Sequence, residues 1–205
     1  MTLDEMFNVS GTDKGSKMHD YAKYYEEVLS PLKDKPIKFL EIGVEFGLSA
    51  DVWLRYLPQA IIYGVDINHA HKILDSRFFF VQGDQRDCVF WRDFLRIHGG
   101  HWDVVVDDGC HKTSGIKASF LSLWPQVKSG GIYIIEDLMC SYHQSCNESG
   151  FPTQVEFLKT LIDDLNAQTA YVNTPEVRVF PQGTDGYRGI EWVRFSEELC
   201  IIKKK

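Results

Sequence analysis

Two short apolar runs that both end in paired acids constrain this chain more than any other feature. Trp102-Asp103-Val104-Val105-Val106 leads into Asp107-Asp108-Gly109-Cys110-His111, and Ile132-Tyr133-Ile134-Ile135 leads into Glu136-Asp137. Such runs read as strands buried on both faces, the habit of parallel sheets covered by helices. Neighbouring parallel strands finish at one edge, so up to four carboxylates and an imidazole are expected to meet there. In open α/β sheets that edge is where ligands bind. Carboxylates this close oppose one another's ionisation, and a divalent cation relieves the conflict. The pattern therefore predicts a metal held by Asp108, Glu136 and Asp137, with His111 beside it as a base. Mg²⁺ suits oxygen donors and leaves positions for a substrate diol, whereas one histidine and no clustered thiols fit zinc poorly. Asp107 sits one step earlier on its strand and points another way, where it could take up the amino group of a cofactor. Taken singly, the acid pairs also suit helix N-caps, and His111 a solvated or capping residue. Their combination is what favours a metal.

The rest of the chain reads as βα units around that edge. Gly11-Thr12-Asp13-Lys14-Gly15-Ser16 is rich in turn formers and precedes a helical pattern from about Lys17 to Leu32, where Tyr21, Tyr24 or Tyr25, Val28 and Leu32 recur at helical spacing. This segment is either a surface turn or a lid whose backbone N–H groups and Lys14 face an anion at a helix start. Strand Ile37 to Ile42 runs into Gly43-Val44-Glu45-Phe46-Gly47 and a helix to Tyr56. Glycines there let a backbone approach a ligand closely, but the spacing lacks the three-glycine dinucleotide fingerprint. A second strand, Ala60 to Asp66, ends in an acid placed to hydrogen-bond both hydroxyls of a ribose. A third, Phe78 to Gln82, ends near Asp84, which suits either an exocyclic amine or, like Asp87, the cap of a helix over Cys88 to His98.

Beyond the acidic strand, a helix is expected from Thr113 to Val127, stopped by Lys128-Ser129-Gly130-Gly131. Leu138 to Pro152 reads as a loop over the site, and Thr153 to Asn166 as an amphipathic helix. A short strand is expected at Val177 to Phe180. Ile190 to Phe195 and Leu199 to Ile202 form an antiparallel hairpin across a Ser-Glu-Glu turn. The 205 residues thus predict one domain, a cap (1–35) on an α/β core (36–205) built as a doubly wound, mostly parallel sheet with a C-terminal hairpin.

A formal charge of -7 argues against nucleic acid as a partner, and Lys203-Lys204-Lys205 reads as a solvated tail. Neither a signal peptide nor a run of about 18 apolar residues is visible, so no membrane association is expected. Five cysteines with no CxxC pair suggest free thiols in a reducing, cytoplasmic setting.

Glu41-Ile42-Gly43-Val44-Glu45-Phe46-Gly47, Gly64-Val65-Asp66, Asp107-Asp108-Gly109-Cys110-His111 and Gly130-Gly131 to Glu136-Asp137 resemble motifs of the class I S-adenosylmethionine-dependent methyltransferases. Gly11-Thr12-Asp13-Lys14-Gly15, with His19 and Tyr21, is similar to the metal-dependent sugar O-methyltransferases of macrolide biosynthesis. The resemblance implies a Rossmann-like sheet of seven strands. It makes Asp108, Glu136 and Asp137 ligands of Mg²⁺ and His111 the general base. It has Glu41, Gly43 and Asp66 hold the methionine end and ribose of S-adenosylmethionine, with Asp84 near the adenine, Asp107 near the amino group, and Thr12 and Lys14 closing over the cofactor. The implied partner is a small-molecule or saccharide acceptor, with a homo-oligomer also expected. Macrolide members carry a large N-terminal auxiliary domain used in assembly and substrate binding. This chain starts at the methyltransferase domain, so macrolide specificity and tetrameric assembly are not carried over. A catechol or phenol acceptor, or a cofactor-binding module without activity, are the alternatives.

Overall fold

A computed structural model describes residues 1–68, 73–167 and 189–205. The expected strand at Val177 to Phe180 lies outside the described residues. The chain opens with a helix that the sequence pattern did not suggest, α1 (Leu3–Ser10). Thr2 and Glu5 form a reciprocal capping box at its start, Gly11 ends it with φ 84°, and Leu3 and Phe7 bury its apolar face. The next helix, α2 (Ala22–Leu29), is shorter than the pattern over Lys17 to Leu32 implied. Residues 11–20 are folded into turns instead, with Asp20 in the left-handed region at φ 56°.

From there strands and helices alternate: β1 (Lys38–Ile42), α3 (Leu48–Tyr56), β2 (Ile61–Asp66), β3 (Phe78–Gln82), α4 (Cys88–His98), β4 (Trp102–Asp107), α5 (Thr113–Leu123), β5 (Val127–Ile135), α6 (Gln154–Ala167), β6 (Ile190–Ser196) and β7 (Leu199–Lys204). The order across the sheet is β3-β2-β1-β4-β5-β7-β6. The first five strands run parallel, and β7 enters antiparallel between β5 and β6. The predicted doubly wound sheet and its terminal hairpin are therefore both present.

Two local expectations are corrected. Lys128 to Gly131 does not stop α5: the turn Trp124–Gln126, with Pro125 in it, ends the helix earlier, and those residues belong to β5. Gly130, at φ 75°, sits where the β4–β5 register shifts between Trp102 and Val104. Nor is Lys203–Lys205 merely a tail. Lys203 and Lys204 extend β7, and the Lys204 ammonium donates to the Trp124 carbonyl at 2.8 Å.

Alternation along the strands sorts the core into two layers. Phe39, Val104 and Val106 pack with α1, α2 and α3 around Phe7, Tyr25 and Trp53. Leu40 and Val105 face the other way, onto α4, α5 and α6 around Trp91, Phe94, Phe120 and Phe157. A strand covered on both faces cannot alternate apolar with polar, which is why β4 is apolar throughout its centre.

Candidate active site

The chain leaves β1 toward β2 and β3 and then returns to place β4 on the other side of β1, so the order reverses between β1 and β4. Ligands of open α/β sheets bind outside the carboxyl ends at such a reversal. Here the strand ends are level. Ile42 pairs with Val65 and with Asp107, and Asp107 pairs with Ile135. The loops beyond them interlock: the Asp108 amide donates to the Ile42 carbonyl at 2.9 Å and the Glu136 amide to the Asp107 carbonyl at 3.1 Å. Gly43, at φ 86°, lies so close that a Cβ there would fall 1.8 Å from the Asp108 carbonyl oxygen. Only glycine fits.

A cleft of about 670 Å³ opens at this edge, with Gly43, Asp66, Asp84, Asp108, His111 and Asp137 in its wall. Asp66 accepts from the backbone amides of Glu45 (2.9 Å) and Asn68 (2.8 Å), which fixes its carboxylate at the end of β2. Asp84 is paired with Arg86 at 2.7 Å, and that hydrogen bond holds its carboxyl below the usual range. Helix capping at α4 falls to Asp87, whose side chain accepts from the Val89 amide, so Asp84 remains with the cleft.

Asp108, His111 and Asp137 each bring a donor atom within 4.8 Å of the others. The His111 Nε2 lies 3.5 Å from Asp137 Oδ2 and 3.9 Å from Asp108 Oδ1. Both His111 (φ 48°) and Asp137 (φ 58°) occupy the left-handed region, which is costly for residues with a Cβ and characteristic of functional sites. The surroundings maintain this backbone. Gln154 donates to the His111 carbonyl, and the Gln85 side chain accepts from the Cys110 amide at 2.5 Å. Glu148, in the stretch after β5, caps α5 through the Ser114 amide (2.8 Å) and hydroxyl (2.6 Å).

Glu136 stands apart from that trio. It is 1 % exposed, one of its oxygens accepts from the Tyr25 hydroxyl, and the other lies 2.6 Å from the Lys14 ammonium. Lys14 also contacts Asp108 Oδ2 and is itself 1 % exposed. Burial pulls its pKa down, but Asp108, Glu136 and Glu41 more than reverse this and leave it well above the ordinary lysine value. Burial raises the pKa of Asp108, and burial with the Asp108 charge raises that of Glu136. One ammonium thus faces more carboxylate than it can neutralise, the condition that a further cation would relieve.

Like Glu136, two further expected site residues lie behind the cleft rather than in its wall. Glu41 is fully buried: one oxygen accepts from Trp53 Nε1 at 2.9 Å, and the other has no partner among the described residues. Asp107 is enclosed by the Ser119 hydroxyl, Tyr133 (3.1 Å) and Gln85 (3.0 Å). It meets the cleft through Gln85. Thr12 and Lys14 line an adjoining cavity of about 370 Å³ together with Gly43 and Ser49.

Sequence reasoning missed the cap's hydroxyls. Tyr21 donates to Asp137 Oδ1 at 2.8 Å, beside Glu198, which is 2.7 Å from His19 Nδ1. Tyr25 reaches Glu136 from the next turn of α2. Their four-residue spacing was visible, but it reads equally well as an apolar stripe.

Strand order and reversal point are those of a Rossmann-like α/β methyltransferase fold. Residues 40–138 match the family described as "Methyltransferase domain". The chain is 35% identical over 206 residues to the 8-demethyl-8-alpha-L-rhamnosyl tetracenomycin-C 2'-O-methyltransferase of Streptomyces olivaceus, a match covering 95% of this chain and 52% of the relative. It is 32% identical over 216 residues to the mycinamicin VI 2''-O-methyltransferase of Micromonospora griseorubida, covering 98% and 52%. Among solved structures, the MycE methyltransferase of the mycinamycin biosynthetic pathway, in complex with Mg and SAH, superimposes with a TM-score of 0.87 at 28% identity, covering 100% of this chain and 54% of that one. The chain therefore spans about half the length of the relatives it matches. No described helix is long and apolar enough to cross a membrane.

Proposed function

We propose that the chain is a Mg²⁺-dependent O-methyltransferase that moves a methyl group from S-adenosylmethionine to a sugar hydroxyl of a glycosylated natural product. The observation that carries this reading is the meeting of Asp108, His111 and Asp137 in the wall of the cleft at the β1–β4 reversal. Relatives that act on rhamnosyl tetracenomycin and mycinamicin, and a related structure holding Mg and SAH, support it.

The residues fit such an ion: two carboxylates supply hard oxygen donors, and the surplus negative charge around Lys14 calls for a cation. Asp108 and Asp137 would hold it, with Glu136 the third ligand if its contact with Lys14 is given up. A bound Mg²⁺ would supply Lewis-acid polarisation of an acceptor hydroxyl. His111 takes the proton at Nε2, a role worth roughly 10²–10⁴-fold for a positioned base. Asp66 holds the ribose, Asp84 faces the adenine, and Glu41 and Asp107 act from behind by fixing the loops and the local charge. An acidic pocket also suits a sulfonium donor.

Removing the imidazole tests the reading. His111→Ala is expected to lower turnover on a panel of glycosylated polyketides by about 10²-fold or more, with S-adenosylhomocysteine affinity in calorimetry kept within a few-fold. EDTA is expected to abolish turnover in the unaltered chain. Activity that survives both treatments would sink the metal-and-base mechanism.

A further inference from the structure

The place of Lys14 is not explained by the reaction itself. Its ammonium contacts Asp108, one of the two carboxylates that would hold the ion, and Glu136, which could become a third ligand only by leaving Lys14. Its backbone is firmly held. The Lys14 carbonyl accepts from the amides of Tyr21 (3.0 Å) and Ala22 (3.2 Å), and the Asp13 carbonyl from His19 (3.0 Å). A Cβ on Gly15 would fall 2.6 Å from the Asn8 side-chain oxygen, so this turn is packed against α1. A lysine stem has four rotatable carbons, and rotation about them is the movement that would carry this buried ammonium elsewhere. The second space it borders is the cavity of about 370 Å³ lined by Gly11, Thr12, Gly43 and Ser49. A dication between Asp108 and Glu136 would share both carboxylates with an ammonium in contact with each. Repulsion between like charges in a buried site opposes that arrangement.

We propose that the Lys14 side chain is an exchangeable cation. It fills the Asp108–Glu136 pair when no divalent ion is bound. When the metal arrives it turns into the adjoining cavity, where it meets the carboxylate of the cofactor's amino-acid end. Metal and cofactor are then coupled through one side chain, and each tightens the other by the same factor. The proposal rests on the metal- and cofactor-binding reading above and adds an order to it: the ion frees the group that the cofactor needs.

Calorimetry and amine labelling of the whole chain test it. Mg²⁺ is expected to tighten S-adenosylhomocysteine binding about fivefold or more in the unaltered chain, a usual size for such coupling. In Lys14→Met that factor falls to about one, while Mg²⁺ alone binds about tenfold tighter because its competitor is gone. In the unaltered chain, acylation of Lys14 by an N-hydroxysuccinimide ester, read by mass spectrometry, is slow without metal. It becomes about tenfold faster with Mg²⁺ alone and slow again once S-adenosylhomocysteine is added. Mg²⁺ binding with Lys14 still unreactive, or undiminished coupling in Lys14→Met, overturns the exchange and leaves the metal-dependent reading standing. No Mg²⁺ binding to the unaltered chain overturns both. The labelling uses the unaltered chain alone, so it decides between these outcomes even where Lys14→Met fails to fold.

Discussion

Glu41 carries an acid into the interior with only half of its hydrogen-bonding capacity met. Trp53 serves one oxygen, and burial pushes the carboxyl up from 4.5 to about 7. Because the folded value is the higher one, the favourable contribution is complete below about 4.5 and is lost as pH rises through about 7. A gap of that width is worth on the order of 3 kcal/mol. Glu41→Gln is therefore expected to hold more of its stability between pH 5 and pH 8 than the unaltered chain, measured by urea unfolding at both pH values. Equal losses in the two proteins would place the cost elsewhere. At this scale the sequence was informative about residues whose role is fixed by local backbone. Gly43 follows a strand and must let the Asp108 carbonyl pass, and Asp66 ends its own strand. It said nothing about the unpaired oxygen of Glu41, which depends on how the following helix, α3, packs Trp53 against the strand.

The cap helices show what a single element contributes. Tyr21, the N-cap of α2, reaches Asp137 and Tyr25 within the helix reaches Glu136, so the N-terminal segment and the strand ends form one hydrogen-bonded unit. Tyr25→Phe removes only the hydroxyl. Its ring keeps its neighbours Phe7 and Trp53, with centroids at 6.3 and 5.0 Å. Losing a donor to a buried carboxylate is expected to cost about 1–3 kcal/mol, read as a lower midpoint in denaturant with an unchanged slope. A change below a few tenths of a kcal/mol would show that Glu136 does not depend on this contact. Strand and helix identity was largely legible here, as β3 and α4 illustrate: both occupy the spans that their patterns predicted. α1 was missed because eight residues offer little periodicity. Lys128 to Gly131 was misread because two glycines after a helix suggest a stop, although Pro125 had already ended it.

For the whole molecule, the sheet order puts the cleft between loops from different parts of the chain, so ligand binding and folding are linked. A ligand that binds only the folded state stabilises it by about 2.7 kcal/mol at a hundredfold excess over its dissociation constant. Mg²⁺ and S-adenosylhomocysteine together are expected to raise the melting temperature by several degrees, and by more than the sum of their separate shifts if Lys14 couples them. Simple additivity in a thermal scan would deny the coupling. The sequence by itself determined the alternation of strands and helices, the acids that end β4 and β5, and the hairpin at the close, because hydrophobic period and turn chemistry are local properties. The meeting of Asp108, Asp137 and His111 was expected, but only the tertiary structure decided that Glu136 turns from them to Tyr25. Only it decided that an ammonium from 94 residues away lies against Asp108. Attraction between charges depends on distance in space, and no spacing along the chain encodes which lysine the folded sheet will bring to its acids.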